Sequence, residues 1–522
     1  MPHSKPEEGL ASSAAKTAYT LYVGQVLALL VSVATFVVLT RLLGPGNYGF
    51  YIFAISFAAV VGGVQNFGIG AYLSRNLARF SYRNDAKGIS RTMSSGYALL
   101  LPVAIILSIT GVGLSGFAAN MLFSGVGIGT LSLVLASLTI FFMMVQNSSI
   151  LGLVGLSRPK PAIAVRVMVY SVQFTAITLL LLNGYGVNGA LSGMLIGYIA
   201  GSIAAFAYSI KAASSYKGFR LYMPSRKELA EAFNFSAPIG VNNLLRLVSQ
   251  NLSILVLGVF VSAVVLGNYS AALKGFSLTA VITYTTSSVL LPLFSKVAPR
   301  RSRNIAYDRI MLYSLMLSIP MIIYIGVMAN PGLHILLSGR YAYAPLYLTL
   351  IAFGIAINMI NLSLGDLVIS RGMTGRYMYC NLASTAIQLI SMAVLIPYLN
   401  VVGSIIAVFF IGSIASNLLV IRLASRHLKA RLSYLRMHLI LLANFILAIP
   451  MYAALLLKGS ILELAAGIAI LVVAYPIILG TMRLVKKDDL ERIAGATAGM
   501  KLVGRAAKGM CRYTAIFIRA GA

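Results

Sequence analysis

The sequence predicts an all-α integral membrane protein: about fourteen transmembrane helices, two six-helix lobes related by a parallel repeat plus two C-terminal helices. Three observations carry this prediction. Apolar stretches long enough to cross a bilayer follow one another along the chain. Basic residues collect in every second gap between them, and the first six stretches share marks with the next six. Hydrophobic residues make up 59% and charged residues 10%, against roughly 25% charged in a soluble domain.

A span needs about 20 apolar residues. Stretches of that length fall at 17–40, 50–73, 93–115, 127–151, 162–183, 189–210, 235–260, 266–292, 307–330, 345–369, 378–399, 401–422, 437–457 and 460–482. Together they use about 280 residues at that length, which leaves short loops and no room for a folded soluble domain. The expected organisation is a tail 1–16, a first lobe 17–210, a linker 211–234, a second lobe 235–422, two peripheral helices within 437–482, and a basic tail 483–522. Pro102, Pro238, Pro320, Pro397, Pro450 and Pro476 interrupt spans. Membrane helices tolerate such breaks, and transporter helices bend at them.

Charge sets the orientation. Of the 41 Lys and Arg, 34 lie in the two tails and the even-numbered gaps; Arg41, Arg340 and Lys458 are in odd-numbered gaps, and Arg166, Arg246, Lys274 and Arg309 are within spans. Basic residues stay on the cytoplasmic side during insertion, so both termini are expected there. The net charge of +30 is then the sum of many loops on one membrane face, where anionic lipid attracts them. No nucleic-acid-binding motif accompanies the charge, so nucleic acid is not an expected partner. Cys380 and Cys511 fall on the cytoplasmic side and make a poor disulfide pair in a reducing compartment. No Cys and His spacing suggests a metal. Glu7 and Glu8 precede a long first span without a cleavage signature, so no removable signal peptide is expected.

An internal repeat organises the spans. At an offset of 221, Gly46-Asn47-Tyr48 pairs with Gly267-Asn268-Tyr269, and the same register pairs Ser56, Ser74 and Arg79 with Ser277, Ser295 and Arg300. At an offset of 213, Leu151-Gly152 and Ser157-Arg158 pair with Leu364-Gly365 and Ser370-Arg371. The unit is six helices long. An even number returns the chain to the same side, so the copies insert in parallel and face each other across a cleft, which is the architecture of alternating access.

Arg41-Leu-Leu-Gly-Pro-Gly-Asn-Tyr-Gly49 resembles a signature of polysaccharide flippases, and Asn66-Phe-Gly-Ile-Gly70 with Arg75 is similar to a second segment of that family. Leu151 to Arg158 and Leu337-Ser-Gly-Arg-Tyr341 resemble further recurrent pieces. The family is that of the Wzx-type O-antigen and exopolysaccharide translocases, within the multidrug/oligosaccharidyl-lipid/polysaccharide (MOP) superfamily. Asn66 departs from the acidic residue often found at its position, so it is assigned no ionisable role. The resemblance implies a bacterial inner-membrane protein that moves an undecaprenyl-pyrophosphate-linked oligosaccharide from the cytoplasmic to the periplasmic leaflet. It implies a glycan polymerase and a chain-length regulator as partners, no cofactor and no covalent chemistry.

Such a cargo needs a wet, cationic passage for its head group across about 30 Å of hydrocarbon. Arg246 lies about twelve residues into its span, roughly 18 Å at 1.5 Å per residue, near the midplane. Asn242, Arg246 and Gln250 are spaced i, i+4, i+8 and share a helix face. An Arg at this depth is costly in lipid, and its guanidinium offers multidentate bonds to pyrophosphate; the plainer alternative is an Arg clamped to helix carbonyls or Asn side chains. Lys274 is a second rung or a side chain snorkelling outward. Arg166 and Arg309 lie nearer the cytoplasmic ends of their spans, where snorkelling is the simpler account. Gln25 is the repeat equivalent of Arg246, and with Gln65 and Gln146 either lines the first lobe's side of the cleft or bonds between helices. Asp366 is the acid that lies well inside a span, a candidate for ion coupling or a partner for Arg371 or Arg376. Tyr341, Tyr343 and Tyr347 form an interfacial belt or a sugar-stacking surface.

Three rival readings stay open. A lipid II flippase moves the same kind of head group. A cation-coupled multidrug extruder would favour acids in its cavity, where this chain has basic residues. A membrane-embedded glycan polymerase would need a larger outer loop and a catalytic constellation, and the four His (His3, His334, His427, His438) are scattered.

Overall fold

The computed structural model describes residues 5–62, 68–122, 129–277, 303–337, 339–371, 373–427, 433–457 and 459–485, with isolated positions in the tail. All regular structure among the described residues is helical. In chain order the helices are α1 (Lys5–Val61), α2 (Ile69–Tyr82), α3 (Ala86–Leu122), α4 (Thr130–Gly155), α5 (Pro159–Leu182), α6 (Gly186–Ser214), α7 (Arg226–Phe260) and α8 (Ala263–Ser277). Then come α9 (Arg303–Val327), α10 (Ala329–Leu337), α11 (Ala344–Ser370), α12 (Thr374–Ile405), α13 (Gly412–His427), α14 (Tyr434–Ala453) and α15 (Ser460–Thr481). The protein is a multi-pass membrane protein.

Ten helical runs among the described residues are long and apolar enough to span a membrane, against the expected fourteen. Two of these runs each carry two expected spans. The run Leu27–Val61 bends at Gly44, whose φ of 70° lies in the left-handed region, and Pro45 opens the helix beyond it, where a missing N–H costs nothing. The run Gly375–His427 bends at Asn400, where φ is 50° and ψ −127°, outside the helical region. Much of the expected eighth span, 266–292, lies outside the described residues. The expected span 50–73 is corrected. Its helix ends at Val61, and the chain resumes after Gly68 as the separate amphipathic helix α2, which carries Arg75 and Arg79.

Contacts divide the chain into two compact units, Met1–Gly267 and Asn268–Ala522. In the first, α5 and α6 pack most closely. Gly189, Gly193, Gly197 and Gly201 recur every fourth residue along α6, and a Cβ on any of the last three would collide with Ile177, Gln173 or Val169 of α5. Small residues at this spacing let membrane helices approach backbone to backbone. The first unit runs past the expected linker 211–234 and takes in α7, because α7 packs on α1, α2 and α3.

In the second unit, Leu315, Ile319 and Ile322 of α9 meet Ala352, Ala356 and Met359 of α11, Val420 of α13, Ile440 and Leu447 of α14, and Leu479 of α15 in one buried core. The last two helices are thus part of the core rather than peripheral. The Tyr475 hydroxyl donates to the Met316 carbonyl at 2.8 Å, and that of Tyr324 to the Leu464 carbonyl at 3.0 Å. The Asp308 carboxylate accepts from the backbone N–H and hydroxyl of Ser433 at the start of α14.

Candidate functional site

The helix that carries Arg246 is continuous from Arg226 to Phe260 and passes through Pro238 unbroken. Ser225 and Glu228 start it with a capping box, which satisfies two of its orphan N–H groups reciprocally. With 226–260 helical, Asn242, Arg246 and Gln250 occupy one face by register. The side chains of 241–250 and of Gln25 lie outside the described residues, as do Gln65 and Asn66 altogether. Next to the Arg246 segment, Asn251 is half-buried and Ser253 is buried.

Lys274 is half-buried on α8, beside Gly275, which packs near Leu333 and Leu348. Arg166 is half-buried on α5, one turn before Tyr170 and two before the buried Gln173. Gln146 is buried at the seam between α4 and α6, its amide carbon 3.2 Å from where a Cβ on Gly201 would stand.

Asp366 is half-buried on α11 within a polar layer that spacing alone does not reveal. The adjacent Gly365 leaves room for Tyr377 of α12. Tyr377 stands near Asp366, Asn381 and Asn361, close enough to be influenced by the Asp366 charge. Asn361 donates to Asn358 Oδ1 at 3.4 Å, and Asn417 of α13 donates to the Ile357 carbonyl at 2.9 Å. The layer sets the Asp366 carboxyl among amide and phenol side chains. Among the described residues no group of three or more His, Cys, Asp or Glu is placed to hold a metal ion.

The residues of the repeat motif serve packing. Tyr48 is buried between Phe36 and Tyr51, with ring centroids at 6.1 and 6.2 Å. Asn268 Oδ1 accepts from the backbone N–H groups of Tyr343 and Ala344 at 3.0 and 3.1 Å and so caps α11. Its counterpart Asn47 is exposed. Of the tyrosine cluster, Tyr341 is buried, while Tyr343 and Tyr347 stack at 6.3 Å.

One charged cluster was missed: Arg91 of α3 pairs with Glu228 and Glu231 of α7. The capping-box spacing was readable in Ser225 to Glu228, but a pairing across 140 residues was not.

The profile described as "Polysaccharide biosynthesis protein" matches residues 14–298, more than half of the chain. No curated protein matches. Among solved structures, the chain is similar to one described as lipid II flippase MurJ in an inward closed conformation, at 16% identity and a TM-score of 0.67, covering 88% of this chain and 98% of that one. An inward-facing multidrug resistance MATE family transporter of the MOP superfamily aligns at 14% identity and a TM-score of 0.64, over 77% of this chain and 96% of its own. A MOP superfamily transporter from Pyrococcus furiosus aligns at 15% identity and a TM-score of 0.54, over 79% and 95%. The chain belongs to the polysaccharide biosynthesis protein family and has the fold of the MOP superfamily transporters.

Proposed function

We propose that this protein flips an undecaprenyl-pyrophosphate-linked oligosaccharide from the cytoplasmic to the periplasmic leaflet of a bacterial inner membrane. The two repeats, 17–210 and 235–422, rock against each other, with both termini cytoplasmic. The observation that carries the reading is the match to the polysaccharide biosynthesis family over residues 14–298. A continuous α7 with an Arg near its middle supports an anionic cargo. Arg246, with Asn242 and Gln250 on its face, receives the pyrophosphate; Lys274, Gln25 and Arg166 extend the polar path. Asp366 and its polar layer couple the motion to an ion. The protein performs no covalent step, and a glycan polymerase and a chain-length regulator take over the product.

A second reading, a lipid II flippase, is favoured by the fold similarity to MurJ. Both readings are tested by reconstituting the protein in vesicles with a fluorescent polyisoprenyl-pyrophosphate oligosaccharide or with lipid II and measuring protection from an external quencher. Movement of the oligosaccharide-linked lipid supports the proposal. Movement of lipid II alone replaces it with the second reading.

A further inference from the structure

The N-terminal end of α7 is tied to α2 and α3 in two layers. In the outer layer, Arg91 Nη2 donates to Glu231 Oε2 at 2.6 Å, and Arg91 Nε faces Glu228 Oε1 at 3.4 Å. Glu228 is itself fixed: it accepts from the Ser225 N–H at 2.8 Å, the Ser225 hydroxyl at 3.1 Å and the Tyr222 hydroxyl at 2.8 Å. The chain leading to α7 is pinned to α3 as well. The N–H groups of Arg220 and Tyr222 donate to the hydroxyls of Ser90 and Ser94, each at 3.0 Å. Those hydroxyls stand one turn apart on the helix, matching alternate residues of extended chain. In the inner layer, Phe235 lies 5.9 Å from the Tyr72 ring, with the Arg75 guanidinium over it at 5.1 Å. Gly68 meets the Ser236 backbone so closely that a Cβ there would overlap its carbonyl.

The chain has only 11 acidic residues against 41 basic ones, yet two acids converge on one guanidinium. The Arg91 side chain is 41% exposed and that of Glu231 53%. Ion pairs this exposed are weak and screened by salt, which suits a contact that must open rather than a permanent joint. We infer that Arg91, Glu228 and Glu231 form a breakable latch that closes the near end of α7 onto α3 and opens once in each transport cycle. The inference rests on the rocking reading above. α3 belongs to the first repeat, and α7 carries the chain from the linker that holds Glu228 and Glu231 into the second. Both helices lie in the compact unit Met1–Gly267, so opening the latch parts the near end of α7 from that unit.

Two measurements test it. Spin labels at Lys87→Cys and Lys227→Cys, both exposed positions on α3 and α7, go into a Cys380→Ser/Cys511→Ser background. They report the opening without any cargo. Arg91→Gln is expected to raise the long-distance population at least threefold, and 1 M salt to do the same to the unsubstituted latch; unchanged distances under both would overturn the latch. In the second measurement, Arg91→Cys and Glu231→Cys are bridged by a short bis-methanethiosulfonate reagent in the vesicle assay. Translocation should fall at least tenfold and return on reduction, whereas a merely structural tie would keep its rate when bridged. Distances that change while no cargo moves, even unbridged, would count against the flippase reading and leave the latch standing.

Discussion

Gly49 of α1 and Gly267 of α8 stand backbone to backbone. A Cβ on Gly267 would overlap the Pro45 carbonyl oxygen, and one on Gly49 the Ala263 carbonyl oxygen. Gly267, the first residue of one repeat motif, and Gly49, the residue after the other, therefore mark a close seam within the first compact unit. Gly267→Ala should destabilise the protein by about 1–3 kcal/mol through overpacking, since neither neighbour is a movable side chain. Thermal unfolding in detergent checks this. Gly113→Ala, with nothing within 4 Å of its Cβ, is the control expected to cost little by packing, and equal melting of the two variants would refute the seam.

Arg246→Ala is expected to abolish glycan export while the protein inserts at normal abundance, and Arg246→Lys to retain part of it. Lys keeps the charge and loses the planar, multidentate geometry. Export and membrane abundance measured together decide the matter; full export in the Ala variant removes Arg246 from the mechanism.

The polar layer around Asp366 predicts a separate phenotype. Asp366→Asn should leave insertion intact and abolish the response of translocation to an imposed proton or sodium gradient. Vesicles with and without a gradient provide the comparison. A gradient response equal to the unsubstituted protein would reassign Asp366 to a structural role beside Tyr377.

The latch has a defined pH window. The Ser225 N–H and the Tyr222 hydroxyl, with Arg91 close by, hold the Glu228 carboxyl below its ordinary value of 4.5. Tyr72 of α2 and Glu231 of α7 complete the titratable groups around it. A carboxylate depressed in the folded state contributes stability above its unfolded pKa and loses it as pH falls through the folded one. The melting difference between the unsubstituted protein and Glu228→Gln should therefore be constant from about pH 7 to about pH 5 and vanish only at more acid values. Disappearance of the difference between about pH 7 and pH 5 would contradict this assignment.

Orientation is checked by labelling. Arg340 and Lys217 are both exposed. A cysteine at Arg340 should label from outside intact cells, and one at Lys217 only after permeabilisation. The reverse pattern would invert the topology argued from the basic residues.

Helix positions were legible because a span is a long apolar run whose ends are marked by Arg, Lys, Gly and Pro. The bends at Gly44 and Asn400 fall in the gaps read between spans. The end of α1 at Val61 and the separate start of α2 at Ile69 were not legible, because residues 50–73 read as one apolar stretch. The pairing of Arg91 with Glu228 and Glu231, and the approach of Tyr377 to Asp366, depend on which helices become neighbours. One sequence with no partner strand or fixed spacing does not encode that at short range. Arg246 stands out in the sequence for the opposite reason, since a charge deep in an apolar run marks itself, while its side chain lies outside the described residues.

The most direct test of the central claim is to delete the gene and identify which lipid-linked glycan accumulates, and on which leaflet. The account predicts one complete undecaprenyl-pyrophosphate-linked oligosaccharide held on the cytoplasmic leaflet, with the surface polymer lost. Normal lipid-linked glycans and an intact polymer, together with increased drug sensitivity, would contradict it and identify the protein as an extruder.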